Sequence, residues 1–106
     1  MVKISFTSQA RKDIKGIKKY ISRDSFLQAE RVTEKIIAEI QRLSKHPQLG
    51  RPVIVTSKNI VRQILVFKYR IFYREQDNKV EILSIYHSSR LIENNPGLQS
   101  YFEEEI

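Results

Sequence analysis

The stretch from Ile60 to His87, IVRQILVFKYRIFYREQDNKVEILSIYH, leaves the chain few choices. It is dense in β-branched and aromatic residues and holds one turn-forming cluster, Gln76, Asp77 and Asn78. The pattern predicts a strand, a tight bend near Phe67 and Lys68, a second strand, a hairpin at Asp77-Asn78 and a third strand. With Asp77 and Asn78 as a two-residue loop, Gln76 pairs with Lys79. Arg74 then faces Glu81, Phe72 faces Leu83 and Arg70 faces Ile85. His87 falls on the face of Arg70, diagonal to it and within about 7–8 Å. An arginine and a histidine gathered at one end of an apolar sheet form the strongest functional lead in the chain. In the same register Tyr69, Tyr73 and Tyr86 share the opposite face as core or rim aromatics.

Upstream, Val2 to Phe6 alternates apolar and polar residues and reads as a strand. Thr7 or Ser8 is placed to cap a following helix. Ala10, Ile14, Ile17 and Ile21 make a narrow apolar stripe, and Arg11, Lys12, Lys15, Lys18 and Lys19 form a solvated face around it. Gly16 weakens this helix by up to about 1 kcal/mol and leaves room for close packing. Ser25-x-x-Gln28 matches a capping box for a second helix with its stripe at Ala29, Val32, Ile36, Ile40 and Leu43. Two such helices fold back on each other and need the sheet to cover them. Pro47, Gly50 and Pro52 end the second helix and open a loop to about Asn59, with His46 at the surface. After His87 a polar run reaches Gly97, and Leu98 to Ile106 suits a short acidic helix with Leu98, Tyr101 and Phe102 on one side. The expected order is β-α-α-β-β-β with an optional terminal helix. This is an α+β domain of residues 1–106, an antiparallel sheet with an N-terminal helical hairpin packed on one face.

Charge is divided unevenly along the chain. Residues 1–74 hold 17 Lys/Arg against 5 Asp/Glu, a net +12, and residues 75–106 hold 2 against 7, a net −5. A basic body points to a polyanionic partner, either nucleic acid or an acidic protein segment. The absence of cysteine removes disulfides and thiolate metal sites. The N-terminus lacks a signal-peptide core and no run approaches the ~20 apolar residues of a membrane span, so a cytoplasmic, non-membrane protein is expected. There is no Gly-rich phosphate loop and no HExxH, and the two histidines are far apart, so neither cofactor nor metal is expected. Glu30, Glu34 and Glu39 are interleaved with bases, which argues against a paired-carboxylate hydrolase. Ser84, Ser88 and Ser89 surround His87, but no acid stands at a spacing that would orient it.

The order of elements, the Leu49-Gly50-Arg51-Pro52 turn, Val61-Arg62, the run Tyr69 to Arg74, Val80 to Leu83 and His87-x-x-Arg90 together resemble the RelE/ParE superfamily. These are toxins of bacterial type II toxin–antitoxin, or plasmid stabilisation, systems. The resemblance runs from residue 2 to about residue 92. It implies a cognate antitoxin protein as partner and one of two activities. RelE-like members are ribosome-dependent mRNA endonucleases, in which Arg70 would match the phosphate-stabilising arginine and His87 an acid or base. ParE-like members keep the fold without most of that catalytic set and poison DNA gyrase.

Ser88 follows His87 where one nuclease subgroup has a His-Tyr pair, no tyrosine occurs beyond it until Tyr101, and Arg62-Gln63 is a thin basic cluster. These departures favour the ParE-like branch, with Arg51, Arg62, Arg70 and Arg90 as target-binding or nucleic-acid-binding residues. The nuclease branch, with Arg70 and His87 catalytic, stays open as the alternative, as does a basic binding module that has lost toxicity. The residues also leave structural roles open: Arg70 paired with a tail carboxylate such as Glu93, His87 capping a strand end, and Arg62 at the sheet periphery.

Overall fold

Helices and strands form where the apolar period changes between two and about 3.6 residues. The computed structural model describes residues 1–103. In chain order they are β1 (Lys3–Phe6), α1 (Ser8–Ser22), α2 (Phe26–Arg42), β2 (Arg51–Val55), β3 (Ile60–Val66), β4 (Tyr69–Gln76) and β5 (Lys79–His87). A short 3-10 turn (Ile92–Asn94) and α3 (Gln99–Glu103) follow. The rest of the expected terminal helix, 104–106, and the side chain of Phe102 lie outside the described residues.

Local chemistry sets the helix ends. Thr7 Oγ1 accepts the Ala10 N–H at 3.1 Å, and Ser25 Oγ accepts the Gln28 N–H at 3.1 Å. Arg23 to Ser25 turn the chain, and Lys18 meets Glu30 at 2.8 Å across the helical hairpin.

The sheet runs β1-β5-β4-β3-β2. β1 lies parallel to β5, because the helical hairpin carries the chain across before the sheet resumes, and the other pairs are antiparallel. The stretch expected as loop from Pro47 to Asn59 contains a strand, β2. Pro and Gly signals hid it, yet proline is tolerated on an edge strand, and β2 is the edge of this sheet.

Both faces of the sheet are covered. On the helix side Ile36, Ile40 and Leu43 from α2 and its end pack with Ile71, Tyr73, Val80, Ile82 and Ile85 of the sheet, with Tyr69 at the margin. On the opposite face Ile54, Val61, Phe72 and Leu83 are covered by the C-terminal segment through the fully buried Leu98, with Tyr86 and Tyr101 alongside.

The β4–β5 hairpin begins in the expected register. Asp77 and Asn78 both take positive φ, 54° and 60°, Gln76 pairs with Lys79 and Arg74 with Glu81. A β-bulge then intervenes. Tyr73 pairs with Ile82 but Phe72 pairs with Ser84, so Leu83 is the extra residue and everything beyond it is displaced by one. Arg70 faces Tyr86, not Ile85, and His87 faces Tyr69.

The cause lies where β1 stops. Beyond Phe6 no strand flanks the outer side of β5, so its backbone turns to the start of α1. The Thr7 N–H donates to Ile82 O (3.0 Å), Thr7 Oγ1 donates to Leu83 O (3.1 Å), and Asp13 Oδ2 accepts the Ile85 N–H (3.0 Å). These bonds satisfy the polar groups that the interrupted ladder leaves behind. Gly97 then packs so closely that a Cβ there would lie 2.8 Å from Leu83 O.

Candidate functional site

The bulge decides what stands with what. Arg70 shares a face with Tyr86, on the side closed by the C-terminal segment, whereas His87 shares a face with Tyr69, on the helix side. The expectation that Arg70 and His87 project together is therefore corrected, because a one-residue slip moves every following side chain to the other face. The tyrosine grouping is corrected by the same slip: Tyr69 and Tyr73 lie on the helix side and Tyr86 on the other.

Each of the two residues has local partners. Arg70 Nη2 donates to Ser88 O at 3.0 Å, clamping the end of β5 rather than pairing with Glu93. His87 Nδ1 accepts the Ser89 N–H at 3.1 Å and lies 2.7 Å from Ser89 Oγ, so the ring caps the strand end. The ring also meets Tyr69 edge-on, with centroids 5.6 Å apart.

The other arginines have their own neighbours. Arg62 faces Tyr73 on the helix side and donates from Nη1 to Gly50 O at 2.9 Å. Arg51 starts the edge strand and pairs with Gln63. Arg90 follows β5 and stacks its guanidinium over Tyr86, 5.3 Å from the ring centroid. Arg74, expected to face Glu81 but not expected as a site residue, lies on the face of Arg70 between the Glu81 carboxylate at 3.0 Å and the Tyr101 ring at 5.1 Å, and also donates to Asn59.

Gly50 is the tightest junction. Its N–H donates to Tyr73 Oη at 2.8 Å, and an added Cβ would lie 2.6 Å from Gln63 O and 2.8 Å from the Tyr73 ring. Burial pushes the Tyr73 hydroxyl pKa up, and the Glu75 carboxylate adds to this against the Gly50 N–H and Arg62.

The site that sequence reading missed is a cleft of about 660 Å³ between α1 and the end of β5. Lys12, Gly16 and Tyr20 line its helix side, and Tyr69, His87 and Arg90 its sheet side. The signal was available: positions 12, 16 and 20 are four apart and so share one face of α1. Gly16 does not serve close packing, since nothing lies within 4 Å of where its Cβ would be. Burial raises the Tyr69 hydroxyl pKa, with the nearby Tyr20 hydroxyl contributing. Asp13, the acid in this lining, accepts three hydrogen bonds: Oδ1 from Gln9 Nε2 (2.8 Å), and Oδ2 from Ser84 Oγ (2.9 Å) and the Ile85 N–H (3.0 Å).

Among the described residues no group of three His, Cys, Asp or Glu could hold a metal ion, and no helix is long and apolar enough to cross a membrane.

Comparison with known proteins fits this architecture. Residues 4–92 match the family described as the ParE toxin of the type II toxin–antitoxin system parDE. The chain is 31% identical to Toxin RelE2 of Caulobacter vibrioides over 91 residues, covering 86% of this chain and 100% of that protein. Among solved structures, it is similar to a chain of the chromosomal ParDE toxin–antitoxin system from P. aeruginosa. The TM-score there is 0.69 at 21% identity, over 82% of this chain and 96% of that one. It is also similar to a chain of the toxin–antitoxin complex RelBE2 from Mycobacterium tuberculosis, with TM-score 0.59 at 22% identity over 81% and 96%. At these identities the structural matches speak for the fold.

Proposed function

Because this chain belongs to the ParE toxin family of type II toxin–antitoxin systems, we propose that it poisons DNA gyrase by binding it, breaks no bond itself, and is neutralised by an antitoxin protein. The observation that carries this reading is the separation of Arg70 from His87 by the β5 bulge. General acid–base catalysis at a phosphate needs its charge-stabilising and proton-transferring groups around one reacting atom. Here one guanidinium holds a backbone carbonyl on one face, and the imidazole caps a strand end on the other. A binding toxin needs no such convergence. The basic body, net +12 over residues 1–74, offers an acidic antitoxin segment electrostatic steering.

Growth after induction tests this reading. Expression of the chain alone arrests growth, co-expression with the reading frame beside it restores growth, and Arg70→Ala and His87→Ala each remain toxic wherever the protein still folds. A second reading, a ribosome-dependent mRNA endonuclease, draws support from Arg70 and Arg74 on one sheet face. It requires that both substitutions abolish mRNA cleavage.

A further inference from the structure

We propose that the cleft over Gly16 seats a bulky apolar side chain carried by an acidic segment of the neutralising protein. This rests on the toxin–antitoxin reading above and adds the chemistry of the contact.

Gly16 costs its helix about 1 kcal/mol relative to alanine. A glycine inside a helix usually marks close approach by another element, but here no atom lies within 4 Å of the missing Cβ. What the glycine leaves is the floor of a cleft of about 660 Å³, within the usual range of ligand pockets. Ile17, Tyr20, Tyr69 and Ile85 line it, and Tyr20 is 64% exposed. An apolar side chain entering from outside would cover these surfaces and touch the bare backbone at Gly16.

The rim defines the flanks of the occupant. Lys12 and Arg90 stand there with no carboxylate within 4.0 Å among the described residues. Asp13 forms no ion pair with either within 4.0 Å among the described residues, and its oxygens instead hold Gln9, Ser84 and the Ile85 N–H. Cations on the rim over an apolar floor suit an apolar anchor flanked by carboxylates. A run of phosphates would leave the floor uncovered.

The test uses fluorescence anisotropy with the full chain and a labelled peptide bearing one phenylalanine between glutamates. Comparison peptides replace the phenylalanine by alanine or the glutamates by glutamine. The wild-type chain should prefer the first peptide to both comparisons, with binding that weakens as salt rises. Gly16→Leu, which fills the floor, should weaken binding by on the order of tenfold or more without lowering the melting temperature. Gly16→Ala, which leaves more room, should raise the melting temperature and weaken binding less. Lys12→Glu and Arg90→Glu should each weaken binding and flatten its salt dependence.

Equal affinity of wild type and Gly16→Leu overturns the proposal. So does displacement of the peptide by a single-stranded oligonucleotide, or concentration-dependent dimerisation that Gly16→Leu abolishes. The parent reading fails differently. If the co-expressed antitoxin binds Gly16→Leu as tightly as wild type, the cleft is wrong and the toxin reading stands. If induction of the chain alone leaves growth normal, the toxin reading falls and takes the cleft with it.

Discussion

The Asp13 carboxylate on α1 reaches across to accept the Ile85 backbone N–H at 3.0 Å. That bond holds the displaced half of β5 in place where β1 no longer flanks it. Removing an acceptor from a buried donor costs about 1–3 kcal/mol. Asp13→Ala should therefore lower the free energy of unfolding by that order, read as a lower urea midpoint. Amide exchange should speed up at Ile85 before it does so at Val80, which lies on the unshifted side of the bulge.

Leu98 pins the C-terminal segment to Phe72 and Leu83 on the second face of the sheet. It is fully buried, so Leu98→Ala should cost about 2–5 kcal/mol. Proteolysis within 91–103 should accelerate by a larger factor than cleavage within the helical hairpin.

Phe67 sits at the β3–β4 turn with φ of 53° and is 61% exposed. A side chain in this left-handed region costs about 1–2 kcal/mol, part of which glycine returns as unfolded-state entropy. Phe67→Gly should stabilise the fold by about 0.5–1 kcal/mol net, seen as a higher urea midpoint at unchanged slope.

Tyr73 and Tyr69 make the protein sensitive to alkali. Burial raises both hydroxyl pKa values above the ordinary 10.0, so the folded state holds these protons longer than the unfolded state does. Their contribution is whole below pH 10.0 and is lost as pH climbs from there through the raised folded values. A melting-temperature series into the alkaline range should decline beyond that point, and Tyr73→Phe should flatten the decline. The same variant should be less stable at neutral pH, because the Gly50 N–H loses its acceptor.

Much of the architecture was legible because one chemical signal decided each piece. Thr7 and Ser25 cap the helices, Asp77-Asn78 sets the hairpin start, and the stripe from Ala29 to Leu43 turns to the sheet. The faces of Arg70 and His87 were not legible. They depend on a bulge at Leu83, and the bulge depends on bonds from Thr7 and Asp13, more than seventy positions away in sequence. Strand alternation read locally has no access to such a partner. β2 was obscured by Pro52, which reads as a breaker until the strand is known to lie on an edge. Gly16 permits close packing by its size, yet the fold leaves open space above it.

We propose that this chain acts by binding gyrase and not by cutting RNA. The most direct measurement adds purified protein to a gyrase supercoiling reaction and, in parallel, to a translating ribosome system. The account predicts loss of supercoiling or accumulation of cleaved DNA, persisting in folded Arg70→Ala and His87→Ala variants, with mRNA intact. Cleaved mRNA that disappears in both variants, with gyrase untouched, would contradict it.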